Sequence, residues 1–253
     1  MNENPIEASA AAQPGLTQWQ RIANTFSSPS RTFDDIHRGN RSWWLPLILM
    51  AIAGYLFFAV VDQKIGIRQA VDNQIRMSPK TEERLAQLTP EQRERSEAIS
   101  VQVTEGVFYA VPLVGMLEIA VLSLVMLGTI NMLFGGKAKF GGVFAVYYYA
   151  FLPQLFKVLL GIVVIFAGVA PESFNLKNYA PTNLGAFLDP ADTSKALYSL
   201  ASSVDLITIW TLVLLSIGLA AVAGLKRKSG YSAVFGWWAI VVLISAGYAA
   251  ALG

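Results

Sequence analysis

The fold is decided by an apolar hairpin that reads LVGMLEIAVLSLVMLGTINMLF over residues 113–134, GGKAKFGG over 135–142 and VFAVYYYAFLPQLFKVLLGIVVIFAGV over 143–169. Each apolar arm is more than about 20 residues long, and an α-helix of that length, rising 1.5 Å per residue, crosses a hydrocarbon core about 30 Å thick. The turn carries two lysines among four glycines and no acidic residue. The stretch therefore predicts two transmembrane helices joined by a short basic turn.

The composition favours a membrane protein and excludes several other classes. Only 14% of the 253 residues are charged, whereas soluble domains have about 25%. The net charge of +2 argues against nucleic acid as a partner. The chain has no cysteine, and His37 is its one histidine, which excludes thiol chemistry and multi-histidine metal clusters. We therefore expect no metal and no other cofactor.

Five apolar stretches are long enough to cross the bilayer: residues 43–61, 113–134, 143–169, 204–225 and 232–252. They predict an all-α integral membrane protein with five transmembrane helices, built from residues 43–253. Residues 62–112 are hydrophilic enough to predict an external helical insertion between the first two spans, with a capping box at Thr89 and Gln92. Residues 170–203 form a long loop, whose aromatic side chains favour an ordered segment lying on the bundle.

The region before the first span divides at about residue 15. Residues 1–15 are small and polar, which predicts a disordered tail. Residues 16–42 predict an amphipathic cytoplasmic segment, because Leu16, Trp19, Ile22 and Phe26 recur at helical spacing. Two interpretations of this segment remain open: a helix on the membrane surface, or a helix packed on the protein's own loops.

Two spans carry features that predict how their helices bend and pack. Pro153 lacks an N–H group and clashes with the preceding turn, so we expect a helix break at Pro153 and Gln154. In the fourth span Ser216, Ala220 and Gly224 recur every fourth residue. They form a small-residue face that allows another backbone to come close.

Three ionisable residues within the spans are functional candidates by default: Glu118, Lys157 and Asp205. Glu118 and Lys157 are placed symmetrically about the basic turn, so on two antiparallel helices they share one depth. We expect them to form an ion pair, which Asp205 could join. The cluster has three interpretations: a structural pair that fixes the register of the hairpin, a proton or cation relay or substrate contact, or unpaired side chains that extend to the outer membrane surface.

The distribution of basic residues predicts the orientation. Five spans put the two termini on opposite sides of the membrane. The short loops 135–142 and 226–231 share a side with the N-terminus and carry five basic residues and no acid. Residues 62–106, on the other side, carry seven basic and eight acidic residues and count partly against this orientation. By the positive-inside rule we still expect the N-terminus in the cytoplasm and the C-terminus outside.

Three stretches resemble the Ypt-interacting-protein (Yip) domain family, whose members have five predicted spans. The first, residues 26–46, contains Ser28-Pro29 and ends in Trp43-Trp44-Leu45-Pro46. The second, residues 135–153, leads from the basic glycine turn through a run of three tyrosines to Pro153. The third, residues 210–238, joins two apolar spans through a basic turn. The acidic Asp-Leu-Tyr-Gly-Pro-type motif of the eukaryotic members, which bind Rab/Ypt GTPases, is not found in this sequence, so that role is not carried over. The chain is similar to the prokaryotic branch, some of whose members accompany ABC-type export systems. The resemblance implies no catalytic residues.

The sequence thus favours a non-enzymatic multi-pass protein of a prokaryotic plasma (inner) membrane. No HExxH or GxSxG motif and no phosphate-binding glycine loop before a helix is present. Besides the lipid bilayer, we expect another membrane protein or a second copy of the chain as partner, with this protein as scaffold or accessory subunit of a complex such as an exporter. The alternative is a small oligomeric transporter or channel that uses Glu118, Lys157 and Asp205.

Overall fold

The computed structural model describes residues 15–189 and 192–252, and within them the chain is built from α-helices. In chain order these are α1 (Gln18–Ser27), α2 (Pro29–His37), α3 (Trp44–Lys64), α4 (Ile67–Arg76), α5 (Pro79–Ala86), α6 (Pro90–Tyr109), α7 (Val111–Gly128), α8 (Phe140–Ala150), α9 (Gln154–Phe166), α10 (Lys195–Ser203), α11 (Leu206–Ala223) and α12 (Arg227–Leu252). A π-helical segment, Thr129–Leu133, extends α7.

Five of the described helical segments are long and apolar enough to cross a membrane: Trp44–Lys64, Val111–Leu133, Phe140–Phe166, Leu206–Ala223 and Arg227–Ala251. The predicted all-α architecture with five spans is therefore confirmed. α4, α5 and α6 form the helical insertion between the first and second spans, and the capping box at Thr89 and Gln92 is present. Of the predicted tail, residues 1–14 lie outside the described residues.

The clearest difference at a span boundary concerns the fifth span, which begins at Arg227 rather than at residue 232. Gly224 adopts a left-handed conformation with φ +68° and ends α11. The Leu225 N–H then donates to the Ala220 carbonyl at 2.9 Å, a common way to end a helix. The turn ends at Lys226, so Arg227 and Lys228 belong to the first turn of α12.

A single side chain closes the basic turn between the second and third spans. Asn131 accepts a hydrogen bond from the Ala138 N–H at 3.0 Å and donates to the Ala138 carbonyl, also at 3.0 Å. The Lys137 N–H donates to the Ala223 carbonyl, the last residue of α11, at 3.1 Å. The turn is thus fastened both to itself and to the fourth span.

The third span is interrupted at residues 151–153, between α8 and α9. Pro153 has no N–H to donate, and the backbone tightens instead: the Gln154 N–H donates to the Phe151 carbonyl at 2.9 Å and the Leu155 N–H to the Leu152 carbonyl at 3.1 Å. The interruption separates two environments. α8 is surrounded by protein over residues 142–150, whereas α9 exposes a large part of its apolar surface.

The N-terminal helices pack on the spans themselves. Phe33 and Ile36 of α2 are fully buried, and a Cβ atom at Gly218 of α11 would approach the Phe33 ring to 2.9 Å. At the end of α1, the Phe26 ring lies 5.5 Å from the Phe156 ring and 5.6 Å from the Trp210 ring. Ile22 and Phe26 of the apolar face expected for residues 16–42 therefore pack against the transmembrane bundle, whereas Trp19 of the same face is 64% exposed.

At the opposite end of the bundle, the insertion and the long loop form one cap. Asn73 of α4 donates to the carbonyls of Pro171 (2.7 Å) and Phe174 (2.9 Å) in that loop. Phe174 is buried in an apolar cluster that includes Phe57 and Val61 of the first span. The cap is therefore ordered and tied to the spans by hydrogen bonds and by apolar packing.

Candidate functional site

Two of the three charged residues singled out in the spans meet in a buried ion pair. The Lys157 Nζ lies 3.0 Å from the Asp205 Oδ2, and the side chains are 18% and 3% exposed. Lys157 lies on α9, one turn beyond the break at Pro153, and Asp205 immediately precedes α11. The pair therefore links the third span to the fourth.

The Asp205 carboxylate makes two hydrogen bonds in addition to its ion pair with Lys157. Its carboxylate caps α11 by accepting the Thr208 N–H at 2.7 Å, and it also accepts the hydroxyl of Thr182 from the long loop. Three donors therefore surround the buried carboxylate: the Thr182 hydroxyl, the Thr208 N–H and the Lys157 ammonium group. The carboxylate thus fixes the start of the fourth span, the long loop and the third span together.

The expected pairing of Glu118 with Lys157 is wrong. Glu118 lies on an exposed face of α7, and among the described residues its carboxylate takes part in no ion pair or hydrogen bond. Equal depth on two antiparallel helices did not decide the pairing, because the two side chains face in different directions around their helices. The three charges therefore do not form one cluster.

Glu118 lies within a stripe of exposed apolar residues. Val114, Leu117 and Val121 are one turn or less away on the same side of α7, and they are 41%, 58% and 60% exposed. Glu118 is seven residues from the helix start at Val111, or about 10 Å along the axis, which places it inside the hydrocarbon region of this span. We call Val114, Leu117, Glu118 and Val121 the α7 stripe.

At the break in the third span, Gln154 bonds to the neighbouring span. Its Nε2 donates to the Thr211 Oγ1 of α11 at 3.0 Å, and the Thr211 hydroxyl donates in turn to the Ile207 carbonyl at 2.9 Å. The amide therefore links the third and fourth spans, next to the place where Pro153 leaves the helix incomplete.

The small residues of α11 contact a helix of the same chain. Gly230 of α12 lies so close that a Cβ atom there would be 2.2 Å from the Ser216 carbonyl oxygen and 3.0 Å from the Ala220 Cβ. Gly224 does not extend this face, because its left-handed conformation ends the helix. Ser216 and Ala220 thus allow close packing of the fourth and fifth spans.

A further buried polar cluster was not foreseen from the sequence. The Arg21 Nε lies 3.7 Å from the Asp35 Oδ2, with both side chains almost completely buried. Arg21 also donates to the carbonyls of Asn40 (2.7 Å) and Ser42 (3.1 Å), and the Tyr149 hydroxyl donates to the Ser42 carbonyl at 3.1 Å. These contacts join α1, α2 and α8 and have a structural role. Opposite charges 14 positions apart on two short helices gave no spacing signal for this pairing.

Comparison with known proteins identifies one family. The family model described as the Yip1 domain matches residues 23–249. The match includes the second half of α1 and all of α2, which together form the N-terminal hairpin, and the five spans up to residue 249. No curated protein and no solved structure gave a significant match.

Replacing Lys157 with methionine tests the ion pair. Lys157→Met leaves the Asp205 carboxylate buried without its cation, and breaking a buried pair in this way costs about 3–5 kcal/mol of folding free energy. We expect a clear loss of thermal stability in mild detergent, measured by tryptophan fluorescence. The matched control is Lys177→Met, the same substitution at an exposed lysine of the long loop, expected to change the free energy of unfolding by less than about 0.5 kcal/mol. Equal stability of the two variants would contradict the assignment.

Proposed function

The chain belongs to the Yip1 domain family, and from this premise we propose that it is a non-enzymatic docking protein of the membrane. In this role it binds another membrane protein within the bilayer, as scaffold or accessory subunit of a complex such as an exporter. The observation that carries the proposal is the exposed Glu118 in the α7 stripe.

A carboxyl group facing lipid is costly in either protonation state. Placing a charge at the centre of a transmembrane helix costs about 2.5 to 3.5 kcal/mol on insertion scales, and charged residues within spans almost always face protein or a water-filled cavity. Even a protonated carboxyl has hydrogen-bonding oxygens that hydrocarbon cannot satisfy. Since Glu118 has no partner among the described residues of its own chain, a partner helix that supplies a hydrogen-bond donor accounts best for its position.

A second surface next to the α7 stripe supports the same proposal. α6 is separated from α7 by Ala110 alone, and it exposes Ile99, Val103 and Val107, one turn apart on one side. These side chains are 50%, 59% and 48% exposed, whereas the other face of α6 contributes Val101 and Phe108 to the apolar cluster of the cap. A partner that covers Glu118 and also contacts α6 would bury both surfaces.

We rank docking ahead of transport for a specific reason. The transporter hypothesis depends on Glu118, Lys157 and Asp205 acting together, and only the last two are in contact. Asp205 also caps α11, and this role, with its bond to Thr182, accounts for the pair without a transported ion.

We propose the plasma membrane of a prokaryote as the location, with the N-terminus in the cytoplasm. The turn at residues 134–139, the turn at 224–226 and the N-terminal hairpin lie at one end of the bundle, and that end carries Lys137, Lys139, Lys226, Arg227 and Lys228. The positive-inside rule assigns such an end to the cytoplasm.

Single cysteines test this orientation, since the chain contains no natural one. In intact cells an impermeant maleimide should label Lys177→Cys, in the long loop, and should label Lys137→Cys only after permeabilisation. Labelling of Lys137→Cys in intact cells while Lys177→Cys stays unlabelled would reverse the assignment.

The docking proposal is tested by site-specific photocrosslinking in native membranes. A benzophenone amino acid at Val121 should give a discrete protein adduct, and one at Ile52, a 52% exposed position on the first span, should not. Adding Glu118→Leu should lower the Val121 adduct at least about fivefold, because hydrogen bonds to charged groups are among the stronger ones. An adduct of twice the chain's own mass would identify self-association. Absence of any protein adduct at Val121 would contradict the proposal.

A further inference from the structure

A cavity of about 400 Å³ lies between the second, third, fourth and fifth spans. Its walls are mainly apolar and include Met126 of α7, Tyr147 and Phe151 of the third span, Leu212 of α11 and Trp238 of α12. Cavities of this volume are typical of sites for small molecules. We call it the interspan slot.

The interspan slot opens sideways between the second and fifth spans. These two spans meet at the π-helical segment, where the Trp237 Nε1 donates to the Thr129 hydroxyl at 2.9 Å. Further along, Val125 and Val241 line the slot from opposite sides and are 41% and 55% exposed. Because this opening lies within the hydrocarbon region, the molecules in front of it are lipid chains.

The lining of the slot extends along the membrane normal on two helices. On the third span its lining runs from Tyr147 to Gln154, which is about 10 Å of helix rise. On α11 it runs from Leu215 to Thr208 over a similar distance in the opposite chain direction. An apolar slot of this length accommodates part of one extended hydrocarbon chain.

The two ends of the slot differ in their free hydrogen-bonding groups. At the Gln154 end, the amide is bonded to Thr211 and the Thr211 hydroxyl to a backbone carbonyl. At the other end, Tyr147 is only 3% exposed, and among the described residues its hydroxyl has no hydrogen-bond partner. A hydroxyl left unpaired in an apolar site is costly, so an acceptor oxygen is expected beside it.

We propose that the interspan slot binds one acyl chain of a phospholipid, whose ester oxygen accepts the Tyr147 hydroxyl. Tyr147 lies seven residues from the start of α8 at Phe140, or about 10 Å along the helix, so the lipid belongs to the leaflet on the side of the basic turn. Trp237 and Trp238 also line the slot, about 15 Å along α12 from its start at Arg227 and so near the middle of the bilayer. The chain then extends past Phe151 towards Gln154.

The test uses a phosphatidylethanolamine with a diazirine in one acyl chain. The full-length protein is reconstituted in vesicles doped with this lipid, and cells fed the corresponding diazirine fatty acid provide the native membrane. After illumination, adducts should concentrate on the peptides around Tyr147–Phe151 and Leu212–Leu215 in both preparations. Tyr147→Phe should lower the adduct yield about two- to tenfold through the loss of one hydrogen bond.

Leu212→Trp fills the slot and should reduce these adducts at least about fivefold. Should that variant not fold, Val241→Trp at the opening blocks access with less disturbance of the core. The matched control is Leu56→Trp, a 54% exposed position on the first span, away from both the slot and the α7 stripe, which should leave the adducts unchanged.

Two results would overturn the proposal. Adducts spread over all exposed spans in proportion to their exposure, and unaffected by Leu212→Trp or Val241→Trp, would show that the slot has no preference for a chain. Adducts found in vesicles but not in cells would show that something other than lipid, such as a helix of another protein, occupies the slot in the native membrane.

Discussion

The structure depends on one constraint: a hydrocarbon interior offers no hydrogen-bond partners, so each polar group there must find one in protein. The chain meets this requirement with contacts between neighbouring segments. Asp205 is shared by Lys157, Thr182 and the first turn of α11, and one carboxylate thereby fixes three segments. The side-chain amide of Gln154 donates a hydrogen bond to Thr211 of the neighbouring span, beside the helix break.

The same constraint explains why the N-terminal hairpin belongs to the membrane domain. Burying Arg21 or Asp35 alone would leave a charge without a partner. Together they form an ion pair, and Arg21 also donates hydrogen bonds to the carbonyls of Asn40 and Ser42. Around it, Phe33 and Ile36 supply apolar packing against the third and fourth spans. The match of the Yip1 domain from residue 23 onward includes most of this hairpin, consistent with its being part of the fold.

Besides the fully buried Arg21 Nε and the hydroxyls of Ser123, Tyr148 and Ser202, two groups without a hydrogen-bond partner among the described residues border surfaces that the chain does not fill. Glu118 faces outward from α7, and the Tyr147 hydroxyl lies at the interspan slot. A protein helix suits the first, because a carboxylate needs a donor along an open apolar surface. A lipid chain suits the second, because the slot is mainly apolar and the Tyr147 hydroxyl needs only one acceptor oxygen.

Hydropathy and helix signals were enough to predict the five spans, the external insertion and the break at Pro153, since all are local properties of sequence. Side-chain direction was not predictable in the same way. Counting residues from the basic turn placed Glu118 and Lys157 at the same depth. The direction of each side chain depends on how the whole bundle packs, and in the structure Lys157 faces Asp205 instead. Likewise, the sequence does not show why position 230 needs a glycine. The structure does, because Gly230 packs closely against the Ser216 carbonyl of another helix.

The particle mass after mild extraction tests most directly whether Glu118 is covered by protein. Light scattering in several mild detergents, corrected for bound detergent, should give a protein mass well above the 27.5 kDa of one chain, and Glu118→Leu should reduce it to that value. A particle of one chain in every detergent, with and without Glu118, would contradict the account.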